Sequence, residues 1–325
     1  MLPTVIALLG DGAYVVIFDL IKLGGSVLTD KRTPYRLRED VLRRLAREIL
    51  EGVPEERWQS GAGIVIVHGA GSFGHPRASS SALPVLGRAT SSSAPLPSLR
   101  QSVVTVQAEV RRLHLMLLET LVEVGIPAVS LPGAGFLRMQ NGRLERPDLT
   151  EFLRATSQGL VPLTCGDVIL DAVKGPHVIS GDRVMVEICR QSEPERVTFV
   201  TDVDGVYDRD PESPEAILID RLDLSTGWIR TPGEPEPGVD RALEARRPRS
   251  ERHGDERCAD ERRGDERRRD EPRADVTGGM EGKLEEIQRI ADAQRDTVIL
   301  SGLEPGRLEA RLRGDAVLGT SISAS

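Results

Sequence analysis

The sequence predicts an α/β fold in which a mainly parallel sheet is covered by helices on both faces. Short apolar runs rich in β-branched residues alternate along the chain with segments whose apolar residues recur at helical spacing, a pattern typical of parallel sheets. Several runs are apolar throughout, as expected of strands buried on both faces. Most runs end in glycine-bearing turns, and ligands of such sheets bind at the carboxyl ends of the strands.

Composition limits the classes of function. The 325 residues suffice for one large or two modest domains with a proper core, and that core must be mainly aliphatic because only 3% of the residues are aromatic. A net charge of -8 gives no overall attraction to nucleic acid or to an anionic membrane. The three cysteines, without C-x-x-C spacing, argue against a disulfide framework or a zinc site and favour the reducing cytoplasm.

The first predicted strand, Val15–Lys22, leads into a turn that contains Gly24, Gly25 and Ser26. The segment before it has no basic n-region, so we interpret residues 1–15 as an N-terminal extension rather than a signal peptide or a membrane span. Lys22 lies at the mouth of the turn, and only four of the 43 lysines and arginines are lysines. A lysine at this turn favours a site that needs a compact ammonium on a flexible stem. An arginine-biased genome or adaptation to salt would also explain why lysine is rare. A helix over Glu39–Glu51 is predicted to cover the sheet.

The second strand, Ile64–Val67, ends in glycines 69, 71 and 74, which His75 follows. These glycines match G-x-G-x-x-G, but the dinucleotide-binding motif also needs a second strand that ends in a carboxylate about twenty residues on. The corresponding stretch, Ala89–Pro97, has neither a strand pattern nor an acidic residue. The sequence therefore predicts an oxyanion-binding turn with an imidazole at its edge.

The middle of the chain continues the alternation. Ser79–Ser98 is rich in Ser, Pro and Ala and is predicted to be a mobile loop. Ser102–Val124 is predicted to be a long amphipathic helix with His114 on a solvated or partly packed face. Further strands are predicted at Ile126–Leu131, Val161–Leu170 and Val197–Thr201, and further helices at Glu151–Gln158 and Val184–Arg190. Gly181 and Asp182 precede the last of these helices.

Arg241–Asp275 breaks the pattern. It holds 12 arginines and 11 acidic residues with almost nothing apolar, so we predict a disordered insertion at about residues 236–274. Nucleic-acid binding is disfavoured because the interleaved charges nearly cancel. Beyond it, Gly278 and Gly279 lead through Lys283 into the predicted helix Leu284–Ala293, which makes a third anion-binding turn. The P-loop spacing is absent there.

Six short motifs follow one another along the chain. They are KLGGS at 22–26, HGAGSFGHP at 68–76, GD at 166–167, SGD at 180–182, TDVDGVYD at 201–208 and DVTGGMEGK at 275–283. From about residue 16 onward, excluding the insertion, the chain resembles the amino acid kinase superfamily and, within it, the archaeal-type isopentenyl phosphate kinases. The histidine of GSFGH is the most specific element of this resemblance.

The resemblance implies an αβα sandwich of the amino acid kinase (carbamate kinase-like) fold. Residues 16–180 would bind the phosphorylated acceptor and residues 181–325 the nucleotide. The implied reaction moves the γ-phosphate of ATP, carried with Mg²⁺, to isopentenyl phosphate and gives isopentenyl diphosphate, as in an alternative mevalonate route. Family members are often dimers, so a cytoplasmic homodimer that binds small molecules is expected.

Roles for individual residues also follow from the resemblance. The expected catalytic residues are Lys22, Lys31, His75 and Asp182. The expected ATP-binding residues are Lys22, Leu23, Gly24, Gly25, Ser26, Gly71, Asp202, Asp204, Tyr207, Gly279 and Lys283. The expected acceptor-binding residues are Gly69, Ala70, His75 and Gly166, and no protein metal site is expected.

Some positions have a simpler interpretation or depart from the family. Asp182 could simply cap the following helix. Asp204 and Asp208 could be solvated loop carboxylates, an interpretation that suits Asp208 better. Ala70 stands where a glycine is common, so its methyl group could crowd the phosphate. Arg183 stands where a second acid is frequent.

Two other functions remain open from the sequence. One is a sibling kinase for another small phosphate or phosphonate, such as a nucleoside monophosphate or a fosfomycin-like compound. The other is a non-catalytic nucleotide-binding protein on the same fold.

Overall fold

The computed structural model of the protein describes residues 7–9, 13–15, 17–30, 32–61, 63–78, 83, 96–223, 228–230, 287, 290 and 295–323. The side chains of residues 7–9, 13–15, 60, 75–78, 96–97 and 228–230 lie outside this description. The predicted charged insertion and nearly all of the predicted helix at 284–293 also lie outside it. Among the described helices, none has both the length and the apolar composition needed to cross a membrane.

The described chain alternates strands and helices as the sequence predicts. The strands are β1 Ala7–Leu9, β2 Ala13–Val15, β3 Asp19–Leu23, β4 Ile64–His68, β5 Ala128–Ser130, β6 Met139–Gln140, β7 Arg143–Leu144, β8 Val161–Cys165, β9 Asp167–Asp171, β10 Gly175–Ile179, β11 Arg196–Thr201, β12 Val206–Tyr207, β13 Leu218–Ile219, β14 Arg221–Asp223, β15 Trp228–Arg230, β16 Asp296–Ser301 and β17 Thr320–Ser323. The helices are α1 Gly25–Leu28, α2 Glu39–Gly52, α3 Glu55–Ser60, α4 Gly71–Ala78, α5 Leu96–Val124, α6 Gly133–Phe136, α7 Thr150–Ser157, α8 Gly181–Ser192 and α9 Arg307–Arg313.

A nine-stranded sheet organises the molecule, in the order β15-β14-β17-β16-β11-β3-β4-β8-β5. The six strands from β16 to β5 are parallel, whereas β17 pairs antiparallel with β16. The central strands are β11, β3 and β4, which are buried along almost their whole length. Because these three strands are parallel, their carboxyl ends lie at the same edge of the sheet.

Helices cover both faces of this sheet. In β4, Ile64 and Ile66 pack into a core cluster with the apolar residues of α2, α5 and α9. Val65 and Val67 point the other way, into a second cluster with the apolar residues of α8. This period of two is the alternation that a strand buried on both faces requires. The predicted αβα sandwich with a mainly parallel sheet is confirmed.

Several boundaries differ from the sequence predictions. The strand predicted over Val15–Lys22 is interrupted, because β1 and β2 form a separate antiparallel hairpin before β3 begins at Asp19. Helix α5 begins at Leu96 rather than Ser102, so the predicted loop ends earlier than its composition indicated. The strand predicted over Val161–Leu170 is two strands, and Gly166 lies between them at the carboxyl end of β8.

Candidate functional site

The glycine turns after β3 and β4 are in direct backbone contact. A Cβ atom on Gly69 would lie 2.5 Å from the amide nitrogen of Gly25, and a Cβ on Gly25 would lie 2.5 Å from the Cα of Gly71. A side chain at either position would therefore force the two turns apart. Gly71 also has a φ of 50°, in the left-handed region that favours glycine. These glycines allow the ends of two adjacent strands to form one continuous backbone surface.

Thr29 joins the same two turns, and sequence analysis did not single it out. Its hydroxyl donates to the Gly25 carbonyl at 2.7 Å and accepts from the Ser72 amide at 2.8 Å. Thr29 is completely buried. The hydroxyl therefore fixes the position of α1 relative to the beginning of α4.

The turns after β8 and β10 reach the same edge of the sheet. A Cβ on Gly166 would lie 2.7 Å from the amide nitrogen of Gly181. A Cβ on Gly181 would in turn lie 3.0 Å from the His68 carbonyl oxygen and 3.4 Å from Cε of Lys22. Gly166 therefore lies beside the other predicted turns.

Lys22 and Asp182 form an ion pair at the centre of these turns. Lys22 is only 5% exposed, and a buried ammonium is costly unless it is paired. Asp182 is not the cap of α8, because the Ser180 hydroxyl is the side chain that accepts from the Arg183 amide, at 3.0 Å. The alternative interpretation of Asp182 as a helix cap is therefore wrong. Arg183 pairs with Glu187 at 2.6 Å, one turn further along the same helix.

Two helices begin at this cluster of turns. Helix α4 starts at Gly71 and α8 at Gly181. The first amide groups of a helix have no partner within the helix, and the helix dipole makes that end positive. The Ser72 and Arg183 amides already donate to the Thr29 and Ser180 hydroxyls. The positive ends of the two helices and the Lys22 ammonium together form a surface suited to phosphate-bearing ligands.

An aliphatic cluster borders the turn after β4. Ala70 packs against it, and a Cβ on Gly74 would lie 2.5 Å from the Ala70 methyl carbon. The methyl group thus lies on the side of α4 and the apolar cluster. The cluster consists of Leu83, Val106, Val110, Cys165 and Val168, with Leu99, Val103 and Val178 packed against it.

Asp167, next to Gly166, has a structural role. Its carboxylate is 4% exposed, accepts from the Ala134 amide at 2.8 Å and forms an ion pair with Arg111. It thereby joins α5 to α6 beneath the turn.

The acidic residues that follow β11 make different contacts. Asp204 pairs with Arg307 at 2.5 Å and accepts from the Tyr207 hydroxyl at 3.2 Å, so it joins this loop to the start of α9. Asp208 accepts from the Ile217 amide at 2.8 Å, and this hydrogen bond is the main reason that its pKa is lowered. Asp202 bonds to the neighbouring Thr201 hydroxyl at 3.3 Å. Arg307 was not singled out by sequence analysis.

Four predicted site residues cannot be placed. Lys31, Gly279 and Lys283 lie outside the described residues, and so does the side chain of His75, whose backbone belongs to α4. Their assignments stay predictions.

His114 differs most from its prediction. The sequence placed it on a solvated or partly packed face, but it is 3% exposed and contacts His68 with 2.9 Å between ring nitrogens. It lies within the apolar stripe of α5 formed by Val110, Leu113 and Leu117, and this spacing could have indicated its burial.

The fold and the site together define an α/β protein whose glycine turns form a surface suited to phosphate groups at the carboxyl edge of its sheet. The chain belongs to the amino acid kinase family, whose model matches residues 20–227. The membership inferred from its motifs is thus confirmed.

Proteins similar to this chain include isopentenyl phosphate kinases. The chain is 32% identical over 308 residues to the isopentenyl phosphate kinase of Methanothermobacter thermautotrophicus, with 94% of this chain and 98% of that protein covered. It is 30% identical over 227 residues to that of Thermoplasma acidophilum, covering 70% of this chain and 84% of the relative. A solved structure of isopentenyl phosphate kinase matches with a TM-score of 0.67 and 29% identity, over 94% of this chain and 100% of that one.

Proposed function

We propose that this protein transfers the γ-phosphate of ATP to isopentenyl phosphate, which gives isopentenyl diphosphate and ADP. The observation that carries the proposal is the buried Lys22–Asp182 pair at the meeting point of the glycine turns. Donor and acceptor are both anionic, and phosphoryl transfer depends mainly on positioning and on neutralising charge. The similarity to isopentenyl phosphate kinases along nearly the whole chain supports the choice of acceptor.

The nucleotide side of the site is assigned to the turn after β3 and to elements after residue 181. Gly24, Gly25 and Ser26 would cradle the ATP phosphates, and Asp202, Asp204 and Tyr207 would line the nucleotide. The Gly24 amide donates to the Val200 carbonyl at 2.8 Å, so the amides assigned to the phosphates are those of Gly25 and Ser26. Leu23, Gly71, Gly279 and Lys283 complete this predicted set. Mg²⁺ would be carried on the ATP phosphates, where it supplies neutralising charge. The glycine turns fit such a ligand because the absence of side chains lets their backbones pack closely at one place.

The acceptor side is assigned to residues 16–180. The backbone of Gly69, Ala70 and Gly166 would hold the acceptor phosphate, and His75 would donate to it. The Gly69 amide donates to the Leu23 carbonyl at 2.9 Å, so the amides assigned to this phosphate are those of Ala70 and Gly166. The Ala70 methyl packs against the aliphatic cluster, which leaves the opposite side of the turn for the ligand. Lys22 would contact the transferring phosphate, Asp182 would orient the Lys22 ammonium, and Lys31 would stabilise the charge that develops in the transition state.

We favour a prenyl phosphate over a nucleoside monophosphate as the acceptor. Recognition of a base requires polar groups that can hydrogen-bond to its edge, and Gln107 and Arg111 of α5 already bond to the Val168 carbonyl and to Asp167, respectively. The relative that matches along nearly the whole chain is an isopentenyl phosphate kinase. The sibling-kinase alternative is therefore disfavoured.

The deciding experiment measures ADP release by the purified protein with Mg-ATP. Isopentenyl phosphate, dimethylallyl phosphate, UMP and fosfomycin would be compared as acceptors. We expect turnover with the two prenyl phosphates alone. Turnover of UMP or fosfomycin instead would support a sibling kinase. ATP binding without turnover of any acceptor would support a non-catalytic nucleotide-binding protein.

We further propose that the protein is a cytoplasmic homodimer. The two described cysteines, Cys165 and Cys189, are free and buried, which suits a reducing compartment. Val104, Leu115 and Val122 are each more than half exposed on α5, and their helical spacing places them on one face. Light scattering should give twice the monomer mass, and Leu115→Glu should reduce it to the monomer value. A wild-type monomer would contradict the assignment.

A further inference from the structure

A chain of buried polar groups ends at the predicted acceptor turn. The Ser130 hydroxyl lies 2.8 Å from Nε2 of His114, and Nδ1 of His114 lies 2.9 Å from Nε2 of His68. Nδ1 of His68 lies 3.1 Å from the carbonyl oxygen of Gly69. These hydrogen bonds thus join β5, α5 and β4 to the first glycine of the turn. No role assigned so far uses these two histidines.

Each proton in this chain can be assigned from its acceptor. A carbonyl oxygen only accepts, so Nδ1 of His68 must carry a hydrogen and donate it to Gly69. Nε2 of a neutral His68 then accepts from Nδ1–H of His114. Nε2 of His114, in turn, accepts from the Ser130 hydroxyl. Both imidazoles are therefore neutral Nδ1–H tautomers.

The surroundings of the pair support the neutral forms. Burial is the main cause that lowers the pKa of His68 to about 3 and of His114 to about 4. The positive charges of Arg111 and, for His68, Lys22 lower them further, and Asp167 opposes this effect only at His114. At neutral pH both rings hydrogen-bond without adding charge to the site.

The hydrogen bond to Gly69 fixes the next amide group. The described peptide bonds include no cis peptide, so the Gly69 carbonyl and the Ala70 N–H point in opposite directions across one planar unit. Because His68 holds the carbonyl on its own side, the Ala70 N–H must face the other side of the turn. Ala70 is half-buried, so part of this residue is open to solvent.

We propose that His68 and His114 are positioning residues that hold the Ala70 N–H toward the phosphate of the acceptor. This inference rests on the proposed function, because it assumes that a phosphate binds at this turn. Two buried imidazoles cost solvation that apolar residues would not, and a fully satisfied buried network makes a backbone rigid. Catalysis by positioning requires such rigidity.

Kinetics of paired variants test the proposal. In His114→Asn the amide nitrogen occupies the position of Nδ1 and still donates to His68, whereas His114→Leu removes the donor. We expect His114→Leu to raise the KM for isopentenyl phosphate about 10-fold, a typical effect of one lost hydrogen bond, with the KM for ATP within about 2-fold. His114→Asn should keep a nearly wild-type KM for the acceptor.

Leu117→Val is the matched control, because Leu117 is fully buried one turn further along α5. It should lower stability without changing either KM. Equal changes in the KM values for acceptor and ATP in His114→Leu would indicate a merely structural role and overturn the proposal. So would a loss of acceptor affinity in His114→Asn equal to that in His114→Leu.

Nuclear magnetic resonance of the ligand-free protein gives a second test that needs no turnover. Long-range ¹H–¹⁵N spectra should show both rings neutral, with the proton on Nδ1, and a proton on Nε2 of either ring would overturn the proposal. Addition of inorganic phosphate should shift the Ala70 amide resonance in the wild type and not in His114→Leu. If the wild type does not use isopentenyl phosphate, the proposed function fails, but this phosphate response still decides whether the histidines position the amide.

Discussion

At the residue scale, Lys22 combines burial with charge. Its side chain is 7% exposed and that of Asp182 is 16% exposed, so each charge depends on the other for compensation. The pair joins β3 to the first turn of α8. β3 lies in the predicted acceptor-binding part, and α8 lies in the predicted nucleotide-binding part. An ammonium between these two parts is well placed to contact the phosphate in transfer.

Replacement of this ammonium should reduce turnover more than binding. We expect Lys22→Met to lower kcat with isopentenyl phosphate by about 10²-fold or more, as is typical when one stabilising donor is removed from a transition state. Lys174→Met is the matched control because Lys174 is exposed in a turn before β10, and it should behave as the wild type. A Lys22→Met enzyme within 2-fold of wild-type kcat would exclude the assigned role. ADP release measures both.

The buried histidines should make stability depend on pH. Their pKa values in the folded protein, about 3 for His68 and about 4 for His114, lie below the value of about 6.5 in an unfolded chain. The unfolded state therefore binds more protons below pH 6.5, and stability falls as the pH drops from there toward 4. At pH 5 each histidine should cost about 2 kcal/mol.

Urea unfolding at pH 7.5 and pH 5 measures this loss. His114→Asn should show about half of the wild-type loss between the two pH values, because one of the two titrating groups is gone. An unchanged loss in this variant would show that other groups cause the acid sensitivity.

At the element scale, the amino end of α9 depends on a carboxylate from α2. Glu48 is 4% exposed and accepts from the Gly306 and Leu308 amides at 3.0 and 3.1 Å. Arg44 pairs with it at 2.5 Å. Because no side chain of α9 caps its own start, Glu48 satisfies amides that would otherwise lack a partner.

We expect Glu48→Ala to lower the free energy of unfolding by about 2 kcal/mol, since it leaves buried amides without an acceptor. Glu51→Ala, an exposed change on the same helix, should change it by less than about 0.5 kcal/mol. Chemical unfolding of both variants provides the comparison. Equal values would contradict the capping role.

At the scale of the whole molecule, one end of β3 contributes to the candidate site and the other end stabilises the fold. Lys22 lies near the carboxyl end, among the glycine turns, whereas Asp19 begins the strand at the opposite edge of the sheet. Asp19 is 1% exposed and accepts from Arg57 at 2.7 Å and from Arg196 at 2.8 Å. It joins α3 and β11 to the central strand, away from the site.

Asp19→Asn should therefore affect stability and not substrate binding. Loss of the charge leaves two partly buried guanidinium groups without their partner, so we expect the free energy of unfolding to fall by about 3 kcal/mol. The KM values for ATP and acceptor should stay at wild-type levels below the melting range. Asp315→Asn, at an exposed position, is the control. A raised KM in Asp19→Asn would show that the two edges are coupled.

The αβα architecture, the kinase family and the position of the glycine turns were all predictable from the order of residues. These features depend on residues close together in the chain: β-branched runs such as Ile64–Val67 form strands, and glycines directly after them form turns that expose amides. Gly24, Gly25, Gly69 and Gly71 were all found in this way. The turns then meet because parallel strands present their carboxyl ends at one edge.

Only the tertiary structure decided which side chains meet. Asp182 could equally have capped α8 until its contact with Lys22 was seen, and His114 had no evident partner because His68 and Ser130 come from other elements. Helical periodicity tells which face of an element is buried, but the partner of a buried polar group depends on how separate elements pack. The ion pair and the histidine chain therefore follow from three-dimensional packing, which the local pattern of residues does not contain.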